Sequence, residues 1–230
     1  MSKEKQSLAQ RSNIIRAAVM GANDGILSVS GIVIGVAGAT TNSFAIFIAG
    51  FAGALAGTVS MAMGEYVSVH SQNDAQKKAE QNQSQRLDHD WQAEFNFVQD
   101  KYIAAGIKPE LAHQATQEMM QQDDLGTTVR ERYGFTLNQE MDAISAGLAS
   151  MISFPLGSVL PMLAITLIPA NLHLNIWGTG VAVAIALAIT GFSAAKLSGA
   201  DLKWATLRNV LAGIFTMIIT YIIGTLMGGL

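Results

Sequence analysis

The sequence predicts an all-α membrane protein of five transmembrane helices, with one small helical cytoplasmic domain between the second and third. Three observations lead there. Five apolar runs, at 14–39, 44–69, 143–168, 174–197 and 210–230, are each long enough to cross a hydrocarbon core of about 30 Å. All 14 Lys and Arg residues fall in the N-terminal segment, between the second and third runs, or between the fourth and fifth, counting Arg16 and Lys196 at the adjoining ends of the first and fourth runs. The two remaining short loops, 40–43 and 169–173, hold none. Basic residues at membrane ends stay on the cytoplasmic side, so the N-terminus and the region 70–138 are expected inside, and the C-terminus outside.

Composition agrees. Half the chain is hydrophobic and 13% is charged, which suits a polytopic membrane protein better than a soluble domain. The absence of Cys excludes a disulfide framework, Cys-ligated zinc and thiol catalysis. The first apolar run is too long, and interrupted too early by Asp24, for a cleaved signal peptide, so it reads as the first span.

Residues 1–69 thus carry the N-terminal segment and spans one and two, and 139–230 carry spans three to five. The second span is expected to continue outward through the Gln-rich stretch 72–85. Trp91, Phe95, Val98 and Tyr102 then recur at helical spacing, and Gly106-Ile107-Lys108-Pro109 marks a turn. Leu111, Ala115 and Met119 form a second apolar stripe. The region 70–138, with its excess of Asp and Glu over Lys and Arg, therefore reads as three helices. Pro155 and Pro161 fall inside the third span, which calls for neighbours to satisfy the freed carbonyls. Glycines at three- and four-residue spacing, Gly31 and Gly35, Gly50, Gly53 and Gly57, Gly224 and Gly228, supply faces for close helix contact.

Two carboxylates, Asp24 and Glu65, lie within the spans. A carboxylate in hydrocarbon costs about 2.5–3.5 kcal/mol on insertion scales and normally faces a cavity or a partner. No Lys or Arg lies in any span away from its ends, so Asp24 is left with a proton, a bound cation, or a hydrogen bond to Asn23, Ser28 or Ser30. Counted from the cytoplasmic ends, Asp24 lies about 15 Å and Met61 about 12 Å along their helices. Glu65 is one turn from Met61 on the same face, which Gly57, Gly53 and Gly50 continue. Hard cations prefer oxygen ligands alone, whereas a thioether beside carboxylates favours a first-row transition ion such as Fe(II), with Mn(II) a second candidate. In a poorly hydrated site the charged form of a carboxylate is disfavoured, which lets protons compete with the metal and suggests exchange of one for the other.

Asn23-Asp24-Gly25 in the first span and Ser60-Met61-Ala62-Met63-Gly64-Glu65-Tyr66-Val67-Ser68 closing the second resemble the vacuolar iron transporter family, including its bacterial members. The likeness continues through Ser153-Phe154-Pro155-Leu156-Gly157 and Pro161, then Arg208, Gly213, Thr220-Tyr221 and Gly224. It implies a homodimer in a cell (inner) membrane that exports Fe(II), and Mn(II) as well, from the cytosol against protons. Asp24 and Met61 would be central path ligands and Glu65 an inner-mouth residue. The acidic insert resembles the family's metal-gathering domain, which implies Glu94, Asp100, Met119, Met120 and Asp123 as ligands. Gln83, Arg86 and Phe97 stand where acids are expected, so metal binding there is expected to be weak.

Other classes fare worse. A membrane-held iron oxidase or storage protein would need a Glu-x-x-His set, and none occurs. A membrane interaction protein with Asp24 as a neutral hydrogen bonder is the third reading. No P-loop, nucleophile motif or nucleic-acid footprint is present, so neither an enzyme nor a resident cofactor is expected.

Overall fold

The computed structural model describes residues 8–137, 140–166 and 171–229. Lys3, Lys5, Asn138, the end of the third apolar run at 167–168, the 169–170 part of its loop, and Leu230 lie outside them. The described residues form seven helices and no strand: α1 Leu8–Ala39, α2 Ser43–His89, α3 Trp91–Ala104, α4 Pro109–Tyr133, α5 Ala143–Thr166, α6 Leu172–Ser198 and α7 Leu202–Gly228. Five of these, α1, α2, α5, α6 and α7, are long and apolar enough to cross a membrane, so the protein is a multi-pass membrane protein.

The chain divides into two compact units. One contains 1–68 and 142–230, the other Val69–Met141, and α2 contributes to both.

In the first unit α1 is the central helix, packed against α5, α6 and α7. Its i, i+4 row Gly31–Gly35–Ala39 lies on α7, where a Cβ at Gly224 or Gly228 would run into the backbone of Gly35 or Ala39. A second seam joins α1 to α5: a Cβ at Gly25 would overlap the Phe154 carbonyl, and one at Gly157 the Ala22 carbonyl. Ser150 and Ser158 reinforce it by donating to the carbonyls of Ala17 (3.2 Å) and Gly25 (3.5 Å). Helix α5 stays helical through Pro155 and Pro161. Val29, Val33, Ile46, Phe154, Val183 and Leu187 form the buried apolar centre.

Helix α7 starts eight residues earlier than the apolar run beginning at Val210. Asp201 caps it by accepting from Trp204 N at 2.9 Å, so the amphipathic first two turns are helical as well. Asp142 caps α5 in the same way through Ser145, and those bonds hold its carboxyl below the usual range.

In the second unit, α2 runs without a break to His89, α3 is capped by Asp90, and Gly106 at φ +94 makes the turn into α4. Of the α3 stripe, Phe95 and Val98 are buried and Tyr102 packs against them, whereas Trp91 at the helix start is exposed. The α4 stripe needs correction: Leu111 is 58% exposed, and Ala112, Thr116 and Met120 face inward instead. Small side chains let α4 approach α3 closely, and that outweighs burial of one leucine near the helix start.

Candidate metal path and the helical insert

Asp24 sits where α1 is gripped on two sides. The preceding residue, Asn23, accepts hydrogen bonds from Asn209 of α7 (2.7 Å) and Thr190 of α6 (3.1 Å), while the next, Gly25, lies on α5. Successive residues turn about 100° round a helix, so Asp24 points into the arc left between those contacts. Its Oδ1 accepts from Ser28 Oγ at 2.7 Å, one turn on. Of the three hydrogen-bonding candidates in the sequence, Ser28 is the one used.

Helix α2 meets α1 on both sides of that level. Ile32 Cδ1 fills the place of a side chain at Gly53, and Arg16 Nη2 lies 2.5 Å from Glu65 Oε1. Interpolating between these two contacts along antiparallel helices sets Asp24 level with Val59, about 3 Å of axial rise from Met61. Gly57, between Gly53 and Met61, is closed by the Phe154 ring, and Met61 packs on the apolar centre. The row Gly53–Gly57–Met61–Glu65 therefore faces the bundle.

Glu65, expected as an inner-mouth residue, has a partner within the chain. It is 8% exposed and already holds a cation of the chain, Arg16, whose guanidinium also donates to Asn13. Arg16 lies near the end of the first apolar run and was within reach because an arginine spans about 7 Å from its backbone. An arginine two residues into one span and a carboxylate one turn from the end of the next is the signal that finds this pair.

In the insert the five ligands expected from the sequence do not converge. Glu94 is buried and bonded to Arg132 Nη2 and Gln83 Nε2, each at 2.7 Å from its Oε2, with Arg86 3.9 Å from Oε1. Arg132 also stacks over Phe97 at 3.8 Å. Asp100 is exposed. Met120 is a core residue against Phe95 and Val98, while Met119 Sδ lies 3.8 Å from Tyr102 Oη and 3.6 Å from Arg130 Nη2. Asp123 breaks the regular helix of α4, its Oδ1 accepting from Gly126 N at 2.8 Å. Among the described residues no group of three or more His, Asp and Glu is placed to hold one metal ion.

A second polar cluster flanks this one. Burial opposes ionisation of Glu131, but hydrogen bonds from Lys101, Tyr102 and Arg130 outweigh it and hold the carboxyl below its ordinary value. Burial and the same carboxylate push the Tyr102 hydroxyl up.

Five apolar spans define a polytopic membrane protein, and the first of them carries a partly buried carboxylate that no Lys or Arg meets among the described residues. The sequence profile of the VIT family matches residues 15–225, and the chain belongs to that family. It is 31% identical over 212 residues to a vacuolar iron transporter of Acanthamoeba castellanii, covering 92% of this chain and 78% of that one. It is 32% identical over 222 residues to vacuolar iron transporter homolog 5 of Oryza sativa subsp. japonica, covering 95% and 82%. With vacuolar iron transporter homolog 1 of Arabidopsis thaliana it shares 27% over 229 residues, 99% of this chain and 90% of that one.

Proposed function

We propose that this protein is a transporter of divalent transition metals, carrying Fe(II), and Mn(II) as a second cargo, out of the cytoplasm in exchange for protons. The observation that carries the reading is Asp24: a carboxylate inside an apolar span, bonded to Ser28 and met by no Lys or Arg among the described residues, at the level of Met61. A partly buried anion inside a membrane span, without a counter-cation, is a place for a proton or a metal ion. The names of the relatives, vacuolar iron transporters and their homologues, support iron as the cargo.

In this reading Asp24 supplies charge and Met61 a soft donor, which together favour Fe(II) over magnesium or calcium. Ser28 orients the carboxylate and donates to its charged form. Protonation of Asp24 on the far side would release the ion, and deprotonation would reset the site. Arg16 holds Glu65 until an arriving cation competes for it.

A homodimer suits the exposed surface. The apolar stretch of α2 is only 11% buried within one chain, against 44% for α1, and Phe47, Phe51, Leu55, Val59 and Met63 stand outward along it. A second copy against that face would enclose Asp24 and Met61 from the open side. The experiment that tests the function is metal uptake into proteoliposomes under an imposed pH gradient, with Fe(II), Mn(II), Co(II) and Zn(II) compared. Uptake that needs both the protein and the gradient is expected. Vesicles that take up none of the four would refute it.

A further inference from the structure

A crevice of about 330 Å³ opens between α1, α6 and α7, towards the ends of these helices that carry the basic residues. Its floor is polar and self-contained. Asn209 Nδ2 donates to Asn23 Oδ1 at 2.7 Å, Leu187 O at 2.9 Å and Thr190 Oγ1 at 3.1 Å, and Thr190 donates to the same Asn23 oxygen. Gly191 keeps the crevice open, since a Cβ there would press on Asn209 Cβ at 3.0 Å. At the rim stands Arg208, exposed and in no ion pair or side-chain hydrogen bond among the described residues.

That arginine is out of place for an idle surface charge. It lies six residues into α7, about 9 Å along the axis from the helix start, and one turn deeper than Trp204, which is 68% exposed. An exposed tryptophan at the end of a membrane helix marks the headgroup level. Below Arg208 on the same face, Leu211 and Phe215 are exposed apolar side chains. Trp204, Arg208, Leu211 and Phe215 therefore present, in order of depth, an interfacial ring, a guanidinium and a hydrocarbon surface. The one acid nearby in sequence, Asp201, is engaged with Trp204 N. Residues 196–208 hold Lys196, Lys203 and Arg208 against that single acid.

We propose that this crevice binds the phosphate of an anionic membrane lipid. The five donors of the Arg208 fork match two phosphate oxygens, and its depth beneath Trp204 suits a group tethered to acyl chains that lie along Leu211 and Phe215. Lys196 and Lys203 add attraction at longer range. Because Asn23 lines the crevice and precedes Asp24, a headgroup seated there would also brace the turn of α1 that holds Asp24. The lipid site itself stands whether or not the chain moves metal.

The test uses the purified full chain in neutral detergent with three probes: phosphatidylglycerol, phosphatidylcholine and soluble glycerol phosphate. Retained lipid is counted by native mass spectrometry and the unfolding midpoint is followed. Phosphatidylglycerol should stay bound and raise the midpoint by several degrees, the other two should not, and Arg208→Gln should lose on the order of tenfold in affinity for it. Lys203→Gln should keep most of the effect, and Arg208→Lys, the variant to rely on if Gln misfolds, should fall between. Wild-type lipid retention in both Arg208 variants, or equal losses in Lys203→Gln and Arg208→Gln, would overturn the site. Equal protection by glycerol phosphate would overturn the assignment to a lipid.

Discussion

Arg16 Nη2 stands 2.5 Å from Glu65 Oε1, so the carboxylate at the basic end of the Gly53–Met61 row is neutralised by the helix that carries Asp24. The pair joins residues 49 positions apart and ties α1 to α2. Arginine is half in solvent while the carboxylate is enclosed, which makes the two ends unequal: losing the guanidinium strands a buried charge, losing both does not.

Arg16→Gln should therefore lower stability by about 1–3 kcal/mol, less than a wholly enclosed pair because solvent already screens one partner. Arg16→Gln with Glu65→Gln should recover much of that loss. Thermal unfolding of wild type, Arg16→Gln, Glu65→Gln and the double variant in one detergent gives the coupling, and independent, additive effects would show that the pair contributes nothing.

Asp24→Asn keeps the shape and removes the charge, so it should nearly abolish metal transport with folding intact. Met61→Leu should impair Fe(II) more than Mn(II), since the softer ion depends more on a thioether. Initial rates in proteoliposomes decide both; unchanged rates in the two variants would put the path elsewhere.

The insert offers a contrasting case. Both Glu94 oxygens face cationic or amide donors from Arg132, Arg86 and Gln83, leaving little for a metal ion. Calorimetry on the 69–141 unit should give Fe(II) or Mn(II) affinities no better than tens of micromolar, an order-of-magnitude value by analogy with calcium sites of low ligand charge. Submicromolar binding of several ions would require a rearranged Glu94–Arg132 cluster. Glu94→Ala should destabilise the unit by about 3 kcal/mol, because Arg132 would keep its charge without a partner.

Acid should weaken the same unit. The Glu131 carboxyl is held below its ordinary value, chiefly against the opposing effect of burial, by Lys101, Tyr102 and Arg130. A folded-state value below the unfolded one means the stabilisation is complete above about pH 4.3 and is lost as pH falls through the folded value. Stability of the 69–141 unit between pH 6 and pH 3 should fall less steeply in Glu131→Gln. An unchanged slope would exclude Glu131 as the titrating group.

The orientation argument has its own check. A reporter fused after Leu230 should lie outside the cytoplasm and one inserted near Gln81 inside. Finding both on one side would mean a miscounted span.

The five spans could be read from the sequence because a bilayer demands about 20 apolar residues per crossing and leaves no other solution. The similar depth of Asp24 and Met61 was legible for the same reason: depth along a spanning helix follows from residue number. Phe95 and Val98 fell on the buried face that their spacing indicates, whereas Leu111 did not, since the choice between neighbouring faces of α4 was made by close packing of Ala112 and Thr116. The start of α7 at Leu202 rests on a side-chain cap from Asp201, which a hydropathy run beginning at Val210 does not contain. Arg16 with Glu65, Asn209 with Asn23, and Arg132 with Glu94 depend on which helices become neighbours, and local pattern carries no information on that.

The most direct test of the central claim follows metal and protons together in the same proteoliposomes, with an internal metal indicator and an internal pH dye, for wild type and Asp24→Asn. Oriented so that the basic ends face out, wild-type protein should take up Fe(II) with a matching release of protons, and Asp24→Asn should show neither. Fe(II) uptake that persists undiminished in Asp24→Asn, or that proceeds with no proton movement, would contradict the account.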